Sequence, residues 1–211
     1  GACAPREVIL PGERFDIREQ AVFENQVAPV DLPAARANAD WGHRNGSAAH
    51  SIVHPALGAD LRPVFVADIG EGDSRSARIT SHPVVAGGVI YTLDARAQVT
   101  ATSVAGQTLW QRDLTPAGND RDDASGGGIT VSGGQVYATT GYGEISALDA
   151  GTGATRWVQD LDAPANAAVT VRGDLVYVVA RDSSAWALDT GNGRVRWQRT
   201  GVPSTANFAS S

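Results

Sequence analysis

Few residues in this chain have the types and spacing that chemistry requires. His50 and His54 stand four apart in His-Ser-Ile-Val-His. On a helix that spacing would put two imidazoles on one face, as a zinc site needs. The glutamate of the zinc-protease motif is missing and Pro55 follows at once, so loop or packing roles are expected for both. His43 and His82 have no sequence partner that suggests a site. Asn119-Asp-Arg-Asp-Asp123 is rich in oxygen ligands, but Ala124 and Ser125 break the alternation of a calcium loop and no distal Glu follows. A solvated loop is the expectation there. Gly126-Gly-Gly128 lacks the strand–loop–helix setting of a phosphate cradle. All 17 basic residues are arginine, which excludes a Schiff-base lysine and a phosphate-loop lysine. The net charge of −6 argues against nucleic acid, whose phosphates call for clustered cations. Cys3, the single cysteine, excludes an internal disulfide and a thiolate zinc cluster. No metal or cofactor is therefore expected.

The elements that must carry these residues repeat. Pro83-Val-Val-Ala-Gly-Gly-Val-Ile-Tyr91, Ile129-Thr-Val-Ser-Gly-Gly-Gln-Val-Tyr137 and Val169-Thr-Val-Arg-Gly-Asp-Leu-Val-Tyr177 line up, with tyrosines 46 and 40 residues apart. Trp110, Trp157 and Trp197 follow at spacings of 47 and 40. Each repeat reads as four short strands: an inner strand, a glycine hairpin, an apolar second strand and an alternating third strand. An Asp-x-Gly-x-Gly turn then leads to a fourth strand holding the tryptophan. Stacked radially, such repeats form an all-β propeller of four-stranded antiparallel blades, at about 82–114, 128–161 and 167–200. The first turn, Thr102-Ser-Val-Ala-Gly106, is degenerate and one residue shorter. Gly126-Gly-Gly128 then lets the chain enter the second blade near the crowded axis. Residues 61–69 read as an isolated outer strand, and 205–211 as the start of a next blade. Three blades cannot close a ring, so the propeller is expected to be incomplete and the sequence truncated; the absence of methionine implies either a removed leader or a fragment.

Residues 1–60 are punctuated by Pro5, Pro11, Pro29, Pro33 and Pro55 and read as an extended N-terminal arm, with a short helix over 32–39. Gly1-Ala2-Cys3 resembles the end of a bacterial lipobox, after which the cysteine is acylated; Ala4 is compatible with the outer membrane. Two or more acyl chains would anchor such a domain stably. The loop 115–127 is the longest connection between blades. It carries Arg121, Asp122 and Asp123, which suit charge-assisted contacts with a partner.

Ala-Leu-Asp-Ala-Gly-Thr-Gly-Ala-Thr-Arg-Trp at 147–157, echoed by Leu188, Asp189, Gly191, Gly193 and Trp197, resembles the tryptophan-docking motif of quinoprotein-type propellers. In that family the tryptophan wedges between adjacent blades, which assigns Trp110, Trp157 and Trp197 a structural role. With Cys3, Arg6-Glu-Val-Ile-Leu-Pro-Gly-Glu-Arg-Phe-Asp16 and Asp40-Trp-Gly-His-Arg-Asn-Gly46, the chain resembles the BamB-like outer-membrane assembly lipoproteins, in their α-proteobacterial form. The resemblance implies a non-catalytic scaffold on the periplasmic face of the outer membrane, lipid-anchored and bound to a BamA-like subunit. Two alternatives stay open. One is a quinone-dependent dehydrogenase, which holds quinone and calcium on the ring axis and often uses a disulfide of adjacent cysteines that Cys3 alone cannot supply. The other is a periplasmic ligand-binding or sensor propeller.

Overall fold

The computed structural model describes residues 12 and 29–202. Cys3 and 205–211 lie outside the described residues. Contacts divide the chain into two compact units, Gly1–Leu32 and Pro33–Ser211. Residues 33–60 therefore belong to the unit that carries the repeats.

That unit is all-β. The first blade is β1 (Val84–Ala86), β2 (Val89–Leu93), β3 (Gln98–Ser103) and β4 (Thr108–Asp113). The second is β5 (Gly127–Ser132), β6 (Gln135–Thr140), β7 (Glu144–Asp149) and β8 (Thr155–Asp160). The third is β9 (Thr170–Arg172), β10 (Leu175–Val179), β11 (Ser184–Asp189) and β12 (Val195–Thr200). Every blade is a four-stranded antiparallel meander in chain order. The innermost strands β1, β5 and β9 lie side by side. Among the described residues the three blades form an open arc of a propeller.

Two local rules build each blade. The inner hairpins close through two-residue loops, and Gly133-Gly134 places both residues at positive φ (58° and 73°), as the type I′ turn requires. The fourth strand then bulges at one equivalent place, where Leu109, Arg156 and Arg196 are the extra residues opposite the step after Ala101, Ala147 and Ala187. Those alanines face Trp110, Trp157 and Trp197 across the ladder. A bulge adds local twist and re-aims side chains; here it sits beside each tryptophan.

The cores lie between blades. One joins Tyr91, Leu93 and Val99 of the first blade to Ile129, Val136 and Leu148 of the second. The other joins Tyr137, Ile145 and Trp157 to Val171, Val176 and Leu188 of the third. The strand β6, covered on both sides, is buried along nearly its whole length, whereas β10 alternates buried and half-buried residues. The apolar run over 175–179 would suit two covered faces; among the described residues a blade covers only one.

Two sequence expectations are corrected. Residues 32–39 form no helix. Arg36 instead pairs in parallel with Pro55, its amide donating to the His54 carbonyl (3.0 Å) and its carbonyl accepting from Ala56 N–H (2.7 Å). A single helical turn is a costly nucleus with few bonds in return, and the long-range pairing prevails. Residues 61–69 form no strand. Leu61, Val64 and Val66 are exposed, and no described strand lies alongside to complete a ladder. The segment nevertheless runs against the first blade, where Thr100 Oγ1 donates to the Ile69 carbonyl (3.2 Å).

Candidate functional site: the axial segment and the interblade docks

An inner strand whose outer edge is unpaired exposes amides that need acceptors. Residues 40–43 supply them. Val85 N–H donates to the Trp41 carbonyl (2.9 Å), and Trp41 N–H donates back to the Val85 carbonyl (2.7 Å). Val131 N–H donates to the Gly42 carbonyl (2.9 Å). Val171 N–H donates to His43 Nε2 (3.2 Å). Val85, Val131 and Val171 are equivalent positions of the three repeats, so consecutive residues of one segment cap consecutive blades. Asp40 adds a carboxylate that accepts from Gly87 N–H (2.8 Å). Glycine is required at 42, because a Cβ there would lie 2.5 Å from the Val131 carbonyl oxygen. Gly128 is equally confined, since a Cβ would overlap the backbone of Ala167 and Ala168 in the next blade. This fits the expectation of a crowded axis.

The histidines belong to this segment. His43 is buried (6% exposed), and burial together with the neighbouring His50 lowers its pKa below the ordinary imidazole value. The two rings meet edge to face at 6.4 Å. His50 Nε2 reaches Thr170 Oγ1 (2.8 Å). His54 Nδ1 instead reaches the Pro33 carbonyl (2.6 Å), so the pair at 50 and 54 shares no site. Among the described residues no three His, Cys, Asp or Glu side chains converge as a metal site would.

Between blades, a tryptophan of one blade rests on a glycine of the next. A Cβ on Gly153 would lie 2.5 Å from Trp110 Cε3, and one on Gly193 would lie 2.6 Å from Trp157 Cε3. Both glycines have positive φ (69° and 71°). The indole N–H groups donate to the Ala150 carbonyl (3.0 Å) and the Thr190 carbonyl (2.9 Å). Tyr91 O–H and Arg112 Nε–H add bonds to the Ala150 and Gly153 carbonyls. Tyr137 packs against Trp157 at 5.9 Å, and burial pushes its phenol up to about 12. Burial of the three tryptophans is uneven: Trp157 is 8% exposed, Trp110 is half-buried and Trp197 is 39% exposed. Among the described residues no turn follows Trp197 for it to dock on.

Each docking turn is held from within. Asp149 Oδ1 accepts from Gly151 and Thr152 N–H, while Oδ2 binds Arg156 (2.6 Å). Hydrogen bonds from Arg156 and Thr152 hold the Asp149 carboxyl at about 2. Asp189 repeats the arrangement with Gly191 and Arg196 (2.6 Å), and the Arg196 hydrogen bond lowers its pKa. In the degenerate first turn both partners change together: Ser103 and Leu109 stand in place of the Asp–Arg pair. Ser103 Oγ there accepts from Ala105 and Gln107 N–H.

That first turn has a dock of its own. A Cβ on Gly106 would lie 2.8 Å from Phe65 Cγ. Phe65 thus occupies on the first blade the place that Trp110 and Trp157 occupy on the next two. The sequence carries a signal for this that the tryptophan spacing hides. Phe65-x-x-x-Ile69 matches Trp110-x-x-x-Leu114 and Trp157-x-x-x-Leu161. Although 61–69 pairs with no strand, it stands where an outer strand would.

The loop 115–127 is clamped to the first blade. Arg96, from the turn after β2, reaches Asp122 (2.9 Å), the Arg121 carbonyl (3.2 Å) and Ser76 Oγ (3.3 Å). Arg121 turns back toward Asp94 (3.7 Å) and Asp113 (3.5 Å). Tyr142 O–H donates to the Asp120 carbonyl (2.8 Å). At Asp113 burial, which alone would raise the pKa, is outweighed by hydrogen bonds from Thr115 and the Arg121 charge, and the net shift is downward. The guanidinium of Arg121 is thus half-exposed and directed toward the first blade, and the Asp122 side chain is 85% exposed.

Comparisons with known proteins agree with this architecture. A family model described as "Outer membrane protein assembly factor BamB" matches residues 95–211, more than half of the chain. An uncharacterized protein of Rickettsia prowazekii (strain Madrid E) is 35% identical over 78 residues, covering 36% of this chain and 18% of that protein. Quinohemoprotein alcohol dehydrogenase from Comamonas testosteroni aligns with TM-score 0.64 and 21% identity over 80% of this chain and 28% of its own. At that identity the likeness is one of fold alone. BamB from Moraxella catarrhalis aligns with TM-score 0.48 and 25% identity over 58% of this chain and 35% of its own. The chain thus spans about a third or less of each relative. The repeats, the docking turns and the family match together place the chain in the family of the outer membrane protein assembly factor BamB.

Proposed function

We propose that the chain is part of a non-catalytic periplasmic scaffold. In this reading it is lipid-anchored through Cys3 to the periplasmic face of the outer membrane and binds a BamA-like subunit of the β-barrel assembly machinery. The observation that carries the reading is the axial segment. The inner-strand amides are capped by the chain's own residues 41–43, in the region where a dehydrogenase would need quinone and calcium. The described residues do not fit that cofactor pair: backbone carbonyls and a neutral imidazole face the strands, and no acidic cluster accompanies them. Family membership supports the same reading.

The partner contact is assigned to the loop 115–127. Asp122 and Asp123 are exposed on it, Asp122 with one carboxylate oxygen on Arg96 and Asp123 with one on the Asp120 amide, and Arg121 shapes the loop from behind. Loops longer than packing requires are common carriers of function.

The experiment measures binding of the intact protein to the BamA-like subunit, together with quinone- and calcium-dependent alcohol oxidation. Binding should weaken by about tenfold or more in Asp122→Asn/Asp123→Asn, as expected for loss of charge-assisted contacts, and no turnover should appear. Unchanged affinity would remove the loop from the interface. Turnover abolished by a chelator would overturn the scaffold reading. Cys3→Ser should release the protein from membranes, because stable anchoring requires acyl chains.

A further inference from the structure

The three attachments of the axial segment differ in chemistry. The first two blades are bound by backbone carbonyls of Trp41 and Gly42, which no pH in the physiological range can protonate. The third is bound by imidazoles: His43 accepts from Val171 N–H, and His50 meets Thr170. An imidazole nitrogen that accepts from an amide must be unprotonated, and a proton there turns an acceptor into a donor facing a donor. His50 also carries positive φ (51°) and a buried Nδ1 without a partner in the protein, so its own attachment is strained.

We propose that His43 is an acid-released clasp, whose protonation frees the segment from the Val171 amide of β9 while the backbone bonds to the first two blades persist. The surroundings offer a protonated His43 no compensation. The β5 strand brings no charged residue, and β9 brings the cation Arg172. The turn after β9 carries Asp174, but it does not offset the burial that disfavours a protonated His43, and the neighbouring His50 adds to that burial in opposing protonation. Within the segment, Arg44 is a further cation, and Asp40 is occupied by Gly87 N–H in the first blade.

The sign follows from linkage. Burial lowers the His43 pKa below 6.5 in the closed state, so the closed state binds fewer protons than the open one. The clasp's stability is complete above that ordinary value and is lost as pH falls through it toward the lowered one. The inference does not depend on the scaffold reading.

The test is amide hydrogen exchange on the intact protein at about pH 7.5 and about pH 5, either side of the ordinary imidazole range, with each rate divided by its unstructured-chain value. Protection at Val171 should fall severalfold, while Val85 and Val131 change by less than about threefold. His43→Gln keeps a side-chain acceptor that cannot titrate, and it should hold Val171 protection equal at the two pH values. Val171 keeping its protection in acid, or all three amides losing it together, would overturn the proposal. The same acid loss in His43→Gln would also overturn it. The wild-type imidazole proton resonances give an independent check: the His43 signal must titrate in step with the loss at Val171.

Discussion

Gly193→Ala puts a methyl group where the structure has room only for the face of Trp157. Two costs add. Residue 193 has φ of +71°, a region that costs an L-residue roughly 1–2 kcal/mol. The new Cβ would also lie 2.6 Å from Trp157 Cε3. The indole is held by packing against Tyr137 and through its N–H by the Thr190 carbonyl (2.9 Å). Relieving the overlap therefore moves the ring off its bond and out of its packing, for about 2–3 kcal/mol more. Gly133→Ala is the control, because φ there is also positive (58°) but nothing lies within 4 Å of the added methyl; it should cost only the backbone part, about 1–2 kcal/mol. Urea unfolding followed by circular dichroism measures both. The excess of Gly193→Ala over Gly133→Ala isolates the dock, and in a Trp157→Ala background that excess should vanish. Equal costs for the two glycines in the wild-type background would refute the docking geometry.

Three further outcomes are expected. Trp157→Ala should destabilise the protein by about 3–5 kcal/mol in the same assay, and Trp197→Ala by less than half as much, because Trp197 is 39% exposed; equal costs would contradict the burial pattern. The Asp149 carboxyl, held at about 2 by Arg156 and Thr152, stabilises its turn fully above the ordinary carboxylate range and loses that effect as pH falls through about 2. A carbon-detected titration should show that midpoint and should show it rise in Arg156→Leu; an unmoved midpoint would rule out the arginine as the cause. Arg96→Ala should accelerate limited proteolysis within 115–127, since its side chain is 9% exposed and its guanidinium holds Asp122 and the Arg121 carbonyl. Arg121→Ala, whose partners are more distant and whose side chain is 45% exposed, should cost at most about 1 kcal/mol.

Sequence alone determined the repeats, the strand order within a blade, the hairpin and Asp-x-Gly-x-Gly turns, and the tryptophan positions. These are local signals: turns need glycine or aspartate at set offsets, and interblade cores need apolar runs, so each repeat rewrites the same chemistry. The tertiary structure alone decided what the segments before the blades do. Trp41 and Gly42 cap two blades through backbone carbonyls that every residue possesses, and a lone glycine at 42 does not announce the close approach to Val131 that requires it. His43 and His50 meet β9 across 128 and 120 residues of chain, a distance over which no periodicity reaches. Phe65 carries the same x-x-x-apolar signature as the tryptophans, but only Gly106 beneath it shows that it docks like them. Arg121 reads in sequence as a free cation on a long loop. Its inward turn depends on Asp94, a buried carboxylate whose position beneath the loop is set by how the blade folds.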